Sequence, residues 1–360
     1  MRANFWRLCS EPPSSRLASC SGDAGKPHLQ LNAPDVANGS SPIKTVVIIV
    51  KENHTYDNYF GTFPGGNGDA SLPQAPNPPS FDPSHTHQAW LNRATGAVRM
   101  GYREADIPAY FSYARQFTLC DNYFTAVAGP STPNHLMLVA ADSPVINNVP
   151  SSTPPFDLKS LPDQLDAAGL TWGSYTSGYP FTLIKNLGRR NMRPQSDFAA
   201  DAAAGKLPSV SWIYGPSGLD EHPTANVTDG MNWTAGIVNA IGQGPQWSAA
   251  AVFITWDDWG GWYDHVDPPQ LETWSDGTQF YPGGRVGCLA ISPYAKRGFV
   301  SHAQHTHVSV VKFCENVFGL SPINARATAS DGMEDCFDFT APPNLTPPQA
   351  LQFLHPSALP

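Results

Sequence analysis

Four short runs of apolar, mostly β-branched residues most constrain the fold of this chain. They occupy residues 45–50, 210–214, 251–255 and 286–291. None shows the alternation of a strand with one wet face, so they predict strands that are buried on both faces. Strands of that kind occur in parallel sheets that helices cover on both sides.

Helical patterns fall between these runs, at residues 160–168, 196–204 and 308–318. The first begins with Ser160 three residues before Asp163, which is a helix-start signal, and the three end before Gly169, Gly205 and Gly319. Alternating strands and helices predict an α/β fold with a mostly parallel central sheet flanked by helices.

The two ends of the chain differ in composition from its middle. Residues 1–42 are rich in Ser, Pro, Gly and Asn and predict an N-terminal tail, and residues 342–360 predict a Pro-rich C-terminal tail. A single domain is expected at residues 43–341. The tetrapeptide at residues 17–20 resembles a lipoprotein cleavage box, but no apolar segment precedes it.

Charge and hydropathy exclude two classes of protein. The net charge is −9 and no Lys/Arg run exceeds two residues, so we expect no nucleic-acid partner. No stretch reaches 18 apolar residues, so we expect no transmembrane segment. None of the six cysteines forms a CxxC pair. Cys314 and Cys336 either form a disulfide in an oxidising compartment or remain buried free thiols.

Polar residues follow two of the predicted strands. Glu52 and Asn53 come after the first, and Asp257 and Asp258 after the third. Ligands of open α/β sheets bind beyond the carboxyl ends of strands, and these oxygen donors suit a divalent cation. Adjacent side chains converge only where the strand has ended or bulged, because neighbours on a strand point to opposite faces. The alternative is a pair of solvated loops.

A second motif surrounds Ser131, in the sequence Gly-Pro-Ser-Thr-Pro-Asn-His. Pro133 suits the first turn of a helix, so Ser131 or Thr132 is either a capping residue or a nucleophile. A phosphate is favoured at a helix N-terminus, and a metal ion that lowers the pKa of a serine hydroxyl activates it for attack on phosphorus. Asn134 and His135 follow in the same motif and are predicted to bind the substrate.

Four of the eleven histidines lie in polar, loop-like contexts, mostly beside acidic residues. They are His85, His222, His265 and His307. Protonated histidines bind phosphate oxygens and protonate a leaving group, which would favour mildly acidic pH. A surface position or a satisfied place in the core is the commoner role for a histidine.

Taken in order, these motifs resemble the bacterial phosphoesterase family of phospholipases C and acid phosphatases, within the alkaline-phosphatase-like superfamily. The similar stretches are residues 43–61 (IKTVVIIVKENHTYDNYFG), 117–138 (FTLCDNYFTAVAGPSTPNHLML), 220–223 (DEHP), 253–269 (FITWDDWGGWYDHVDPP) and 285–319.

The resemblance implies a role for each motif. Glu52, Asn53, Asp257, Asp258 and Ser131 match the ligands of one divalent metal ion. Ser131 matches the nucleophile, which implies a phosphoseryl intermediate that water hydrolyses.

Among the histidines, His85 and His222 match residues that bind phosphate or serve the leaving group. His265 and His307 fall in family motifs of less defined role. The metal's identity stays open among calcium, manganese, zinc and iron. The resemblance also implies an exported protein, periplasmic or extracellular, although no secretory signal is evident in this sequence.

Ser131 and His135 stand where the phospholipase motif commonly has Thr and Arg. This difference leaves the substrate open between a small phosphomonoester and a phospholipid headgroup. Two other interpretations remain: a sulfatase-like or other ester hydrolase on the same scaffold, and a non-catalytic, metal-stabilised binding protein. Oligomeric state is not predicted.

Overall fold

A nine-stranded sheet forms the centre of the protein. The computed structural model describes residues 41–176 and 178–350. The strands within these residues are β1 (Thr45–Lys51), β2 (Thr118–Phe124), β3 (Trp172–Tyr175), β4 (Met192–Arg193), β5 (Val210–Tyr214), β6 (Ala250–Trp256), β7 (Glu272–Thr273), β8 (Gln279–Tyr281), β9 (Arg285–Ile291), β10 (Phe299–Ser301) and β11 (His305–Thr306).

The sheet has the strand order β10-β2-β9-β6-β1-β5-β3-β4, and β11 also pairs with β2. Strand β9 runs antiparallel to β6 and β2, and all the other pairs in this sheet are parallel. Strands β1, β6 and β9 are buried at every position, which requires cover on both faces. The predicted α/β class with a mostly parallel central sheet is confirmed.

Strand β2 carries no apolar run in the sequence, because Asp121 and Asn122 interrupt it. Asp121 is buried, and its carboxylate accepts a hydrogen bond from the backbone N–H of Asn67 at 2.7 Å. A tertiary contact therefore allows a polar residue in a central strand. Strands β7 and β8 form a separate antiparallel pair.

Helices connect the strands of the described chain. They are α1 (Tyr56–Phe60), α2 (His87–Leu91), α3 (Arg93–Gly96), α4 (Pro108–Gln116), α5 (Ser131–Ala140), α6 (Leu161–Ala167), α7 (Phe198–Ala203), α8 (Val227–Gln243), α9 (His307–Phe318) and α10 (Ala325–Ala329). Short 3₁₀ helices cover Phe181–Leu183, Gln195–Asp197, Trp247–Ala249 and Glu334–Cys336.

The predicted helices correspond to α6, α7 and α9. Ser160 caps α6 by accepting a hydrogen bond from the Asp163 N–H, and α9 ends at Gly319 in the left-handed conformation. No helix within residues 41–176 and 178–350 is long and apolar enough to cross a membrane.

Three sequence features concern the ends and the cysteines. Most of the predicted N-terminal tail, the box at residues 17–20, and residues 351–360 lie outside the described residues. Within residues 342–350, the Gln349 carbonyl accepts a hydrogen bond from Ser112 of α4 at 2.7 Å.

Cys314 and Cys336 are both buried free thiols, so the disulfide between them does not form. The sulfur of Cys336 lies 3.6 Å from that of Cys120 instead.

A buried ion pair lies beneath the carboxyl edge of the sheet. The Nζ of Lys51, at the end of β1, is 3.3 Å from Oε1 of Glu221, and neither side chain is exposed. The Glu221 carboxylate also accepts hydrogen bonds from Tyr59 at 2.9 Å, Tyr110 at 2.5 Å and Trp256 at 3.0 Å. Burial lowers the pKa of Lys51 and raises that of Glu221, so each charge depends on its partner.

We predict that Lys51→Met lowers the free energy of unfolding by about 3–5 kcal/mol, because it leaves the Glu221 carboxylate buried without its cation. Denaturant titration measures this loss. The matched control is Lys44→Met, an exposed lysine of the same segment, which should change stability by less than about 0.5 kcal/mol. Equal stability of the two variants would contradict the dependence on the pair.

Candidate active site

The chain turns sharply at the end of both central strands that precede the predicted metal ligands. Asn53 has a φ of 62°, and its backbone N–H donates to Oδ1 of Asp257 at 3.0 Å. The Asp257 N–H donates to the Lys51 carbonyl at 2.9 Å. Because β1 and β6 are adjacent and parallel, these turns bring their two polar ends together.

Gly260 allows the close approach of the two loops. It has a φ of 62°, and a Cβ atom there would lie 2.0 Å from the Asn53 carbonyl oxygen. Its N–H donates to Oδ1 of Asp258 at 2.7 Å, which fixes that carboxylate. Only glycine satisfies both the left-handed conformation and the contact.

Ser131 begins helix α5 and is partly exposed. Its hydroxyl donates to Oδ2 of Asp258 at 3.1 Å, so it adjoins the predicted metal ligands. Asn134 is fully buried, and its side chain bonds Val127 and the carbonyls of Gly129 and Pro130 at 2.7–3.2 Å. Asn134 thus holds the loop before the serine, and this geometry favours a positioning role over the predicted contact with substrate.

His135 lies between two of the predicted metal ligands. Its Nε2 is 3.0 Å from Oδ2 of Asp257 and 3.4 Å from Oε1 of Glu52, and its ring stacks on Tyr214. Burial alone would lower the pKa of His135, but the hydrogen bonds to the two carboxylates outweigh it and raise the pKa to about 10. The sequence predicted His135 as a substrate contact. Its place between two metal ligands depends on the meeting of α5 with β1 and β6, which is a tertiary feature that the sequence does not show.

Three carboxylates therefore lie together, those of Asp257 and Asp258 fully buried and that of Glu52 19% exposed. Burial and the charge of Asp257 raise the pKa of Glu52 and, more strongly, that of Asp258. Burial opposes ionisation of Asp257 too, but the bond from His135 holds its pKa below the usual value. Oδ1 of Asn53 is buried and has no hydrogen-bond partner. Clustered carboxylates and an amide oxygen without a hydrogen-bond partner are ligands that a divalent cation prefers, so these residues fit a bound divalent cation.

His85 and His222 lie beside this cluster. Nε2 of His85 is 3.4 Å from Nδ2 of Asn53, and the two imidazole rings are 5.9 Å apart. Each ring donates from Nδ1 to a backbone carbonyl, at 2.8 Å for His85 and 2.7 Å for His222. Asp82 adjoins both histidines. Asp82 was not among the site residues predicted from the sequence, although its position three residues before His85 was a signal for it.

A cavity of about 470 Å³ opens beside His85. Its lining combines polar side chains with the apolar rings of Pro83 and Pro130. The lining residues are Asp82, Pro83, Ser84, His85, Thr86, Gln88, Pro130, Asn147 and Asn148. Trp256, Trp259 and Trp262 are at most 2% exposed and belong to the core, so they offer no stacking surface to a cationic headgroup.

His307 supports the site from behind. Its ring is fully buried, Nε2 donates to the Asp257 carbonyl at 2.7 Å, and Nδ1 is 3.1 Å from the Tyr123 hydroxyl. Burial lowers the pKa of His307 to about 4, so the ring is neutral at pH 7. Both nitrogens are occupied, and the geometry assigns His307 to positioning Asp257 rather than to substrate.

His265 belongs to a different cluster. Its Nδ1 is 2.7 Å from Oδ2 of Asp57 and its Nε2 is 3.2 Å from Oδ1 of Asn67. The same Asp57 pairs with buried Arg285 at 2.9 Å. Within residues 41–176 and 178–350, the hydrogen bonds of His265 reach none of the other predicted site residues. The structure does not bring it to the cation site.

The matches to known proteins show a hydrolase of phosphoric esters, which confirms the class predicted from the sequence. The chain belongs to the Phosphoesterase family, whose model matches residues 43–79 and 79–321.

Several characterised proteins are similar to the chain. It is 28% identical to the non-hemolytic phospholipase C of Pseudomonas aeruginosa, over 84% of this chain and 58% of that protein's length. It is 27% identical to phospholipase C B of Mycobacterium tuberculosis, over 85% of this chain and 80% of that protein. Murine ectonucleotide pyrophosphatase / phosphodiesterase 5 aligns with a TM-score of 0.49 and 9% identity, over 82% of this chain and 100% of that chain.

The role of His307 is testable in the whole protein. We predict that His307→Ala lowers kcat or metal affinity by about 10–100-fold, because the loop carrying Asp257 loses its support, while KM changes little. His307→Gln retains a side-chain donor and should lose less. A loss confined to KM would indicate direct contact with substrate instead. Steady-state kinetics with p-nitrophenyl phosphate and metal analysis of both variants separate these outcomes.

Proposed function

We propose that the protein hydrolyses phosphate esters through a phosphoseryl intermediate on Ser131, with one divalent metal ion in the site. The observation that carries the proposal is the meeting of Ser131 with Asp258, at 3.1 Å, beside Asp257 and Asn53. These residues come from three separate stretches of the chain. Family membership supports the reaction class, and the residue roles rest on this geometry.

Glu52, Asn53, Asp257 and Asp258 would hold the metal ion together with the Ser131 oxygen. When bound, the ion polarises the phosphoryl group and lowers the pKa of the serine hydroxyl. His135 adds a nitrogen donor 3.0 Å from Asp257 and 3.4 Å from Glu52. Imidazole suits zinc and iron better than calcium, which prefers oxygen ligands. We therefore propose a transition metal.

In the first step, Oγ of Ser131 attacks phosphorus and the bond from phosphorus to the leaving oxygen breaks. Asp258 already accepts the Ser131 hydrogen bond and is positioned to receive its proton. His85 adjoins Asn53 and lines the open cavity, and its ring is 5.9 Å from that of His222, so we assign these two rings to binding phosphate oxygens and to protonating the leaving alcohol. In the second step, water attacks the phosphoserine and releases phosphate and the free serine.

Polar side chains of the cavity, among them Asp82, Gln88 and Asn147, support a substrate whose alcohol part forms hydrogen bonds. We propose that the substrate contributes a hydrophilic alcohol, whether as a small phosphomonoester or as the headgroup side of a diester. Hydrolysis rates of p-nitrophenyl phosphate and p-nitrophenyl phosphocholine distinguish the two.

We predict that Ser131→Ala lowers kcat for p-nitrophenyl phosphate by at least about 10³-fold, because the nucleophile is removed while the metal ligands on β1 and β6 remain. Metal content should stay near that of the wild type. The matched control is Thr132→Val, since the Thr132 hydroxyl adjoins Ser131 in the chain but accepts its hydrogen bond from Tyr179. Rapid-quench analysis should trap a phosphoserine in the wild type and in Thr132→Val, but not in Ser131→Ala.

Near-wild-type turnover by Ser131→Ala would eliminate the nucleophile assignment. Faster turnover of p-nitrophenyl sulfate than of the phosphate would favour the sulfatase-like alternative. Metal binding without turnover of any ester would favour the non-catalytic binding protein.

We predict that Asp257→Asn loses bound metal and turnover together. The substitution removes a carboxylate charge shared with Glu52 and Asp258, and dialysis against a chelator should inactivate the wild type in the same way. Readdition of zinc or iron should restore activity better than calcium. Full metal content with full activity in Asp257→Asn would show that the ion binds elsewhere. Asp338→Asn, an exposed aspartate, is the control.

A further inference from the structure

A second cluster of metal-binding side chains lies at the edge of the sheet. The ring of His305 in β11 and the thiols of Cys120 in β2 and Cys336 have ligand atoms within 4.8 Å of one another. All three side chains are buried. Asp335 adds a carboxylate oxygen 3.3 Å from Nε2 of His305 and 3.6 Å from Sγ of Cys336.

We propose that these four residues form a structural zinc site, separate from the catalytic metal site. Two thiolates, one imidazole and one carboxylate are a tetrahedral zinc donor set. This proposal does not depend on the proposed reaction, because none of the four residues belongs to the catalytic cluster.

Three of the six distances between ligand atoms agree with that geometry. Zinc bonds of about 2.3 Å to sulfur and about 2.1 Å to nitrogen and oxygen place tetrahedral ligands about 3.8 Å (S–S), 3.6 Å (S–O) and 3.4 Å (N–O) apart. The protein has 3.6 Å between the two sulfurs, 3.6 Å from Cys336 to Asp335, and 3.3 Å from Asp335 to His305.

A second carboxylate lies behind the histidine. Nδ1 of His305 is 2.5 Å from Oδ2 of Asp331, although not in hydrogen-bonding geometry, and Nε2 faces Asp335. A carboxylate beside the distal imidazole nitrogen is the usual partner of a metal-bound histidine. The Ser301 hydroxyl donates to the second oxygen of Asp335 and lies 3.0 Å from Nε2 of His305.

A disulfide between Cys120 and Cys336 is the competing product of the same two thiols. A disulfide would involve only the two sulfurs and would leave Asp335 and His305 without a role beside them. A zinc ion would bind the two sulfurs, Asp335 and His305 together. The ion would tie the strand pair β2–β11 to the 3₁₀ turn at Glu334–Cys336.

The test uses the whole protein, purified with zinc and then exchanged with cobalt(II). Thiolate ligands give cobalt an intense charge-transfer band in the near ultraviolet, and the catalytic cluster contains no thiol. We expect the band in the wild type. Cys120→Ala and Asp335→Asn should both lose the band and one equivalent of metal, and both should have a lower Tm. Cys314→Ala and Asp338→Asn are the matched controls and should retain the band.

Asp335 is about one third exposed, so Asp335→Asn keeps the test available if Cys120→Ala fails to fold. Asp257→Asn should lose the catalytic metal and retain the band, which separates this proposal from the proposed function. A wild type without the band, or with a Cys120–Cys336 disulfide in its peptide mass map, would overturn the zinc site.

Discussion

The mutual repulsion of three clustered carboxylates, two of them fully buried, is the constraint on which the active edge of this protein depends. Glu52, Asp257 and Asp258 lie together where burial and like charge both oppose ionisation. Positive charge must compensate, and His135 with its raised pKa supplies part of it. A divalent cation supplies the rest in our proposal, and its binding competes with the proton on His135.

The residues around this cluster serve mainly to hold it. His307 fixes the Asp257 carbonyl, Asn134 holds the loop before Ser131, and Gly260 lets the β6 loop touch Asn53. Deeper in the protein, the Lys51–Glu221 pair fixes the end of β1. Preorganised supports of this kind keep a reactive geometry without reorganisation during the reaction.

Much of this arrangement was predictable from local pattern. Apolar runs fixed the positions of β1, β5, β6 and β9, and the rule that ligands bind beyond strand ends singled out the residues after β1 and β6. Strand β2 escaped prediction because Asp121 is buried through a contact with Asn67, 54 positions earlier in the chain. His265 and His307 lie in family motifs like those of His85 and His222, yet their ring nitrogens are engaged elsewhere.

The sequence alone determined the α/β class, the central strands and the types of donor that follow them, because these depend on the spacing of neighbouring residues. Only the tertiary structure decided that His135 lies between Glu52 and Asp257, that the tryptophans of the β6 loop are buried, and that Cys120, His305, Asp335 and Cys336 converge. The physical reason is that these contacts join segments far apart in the chain. Their distances depend on strand order and helix packing, which no local pattern encodes.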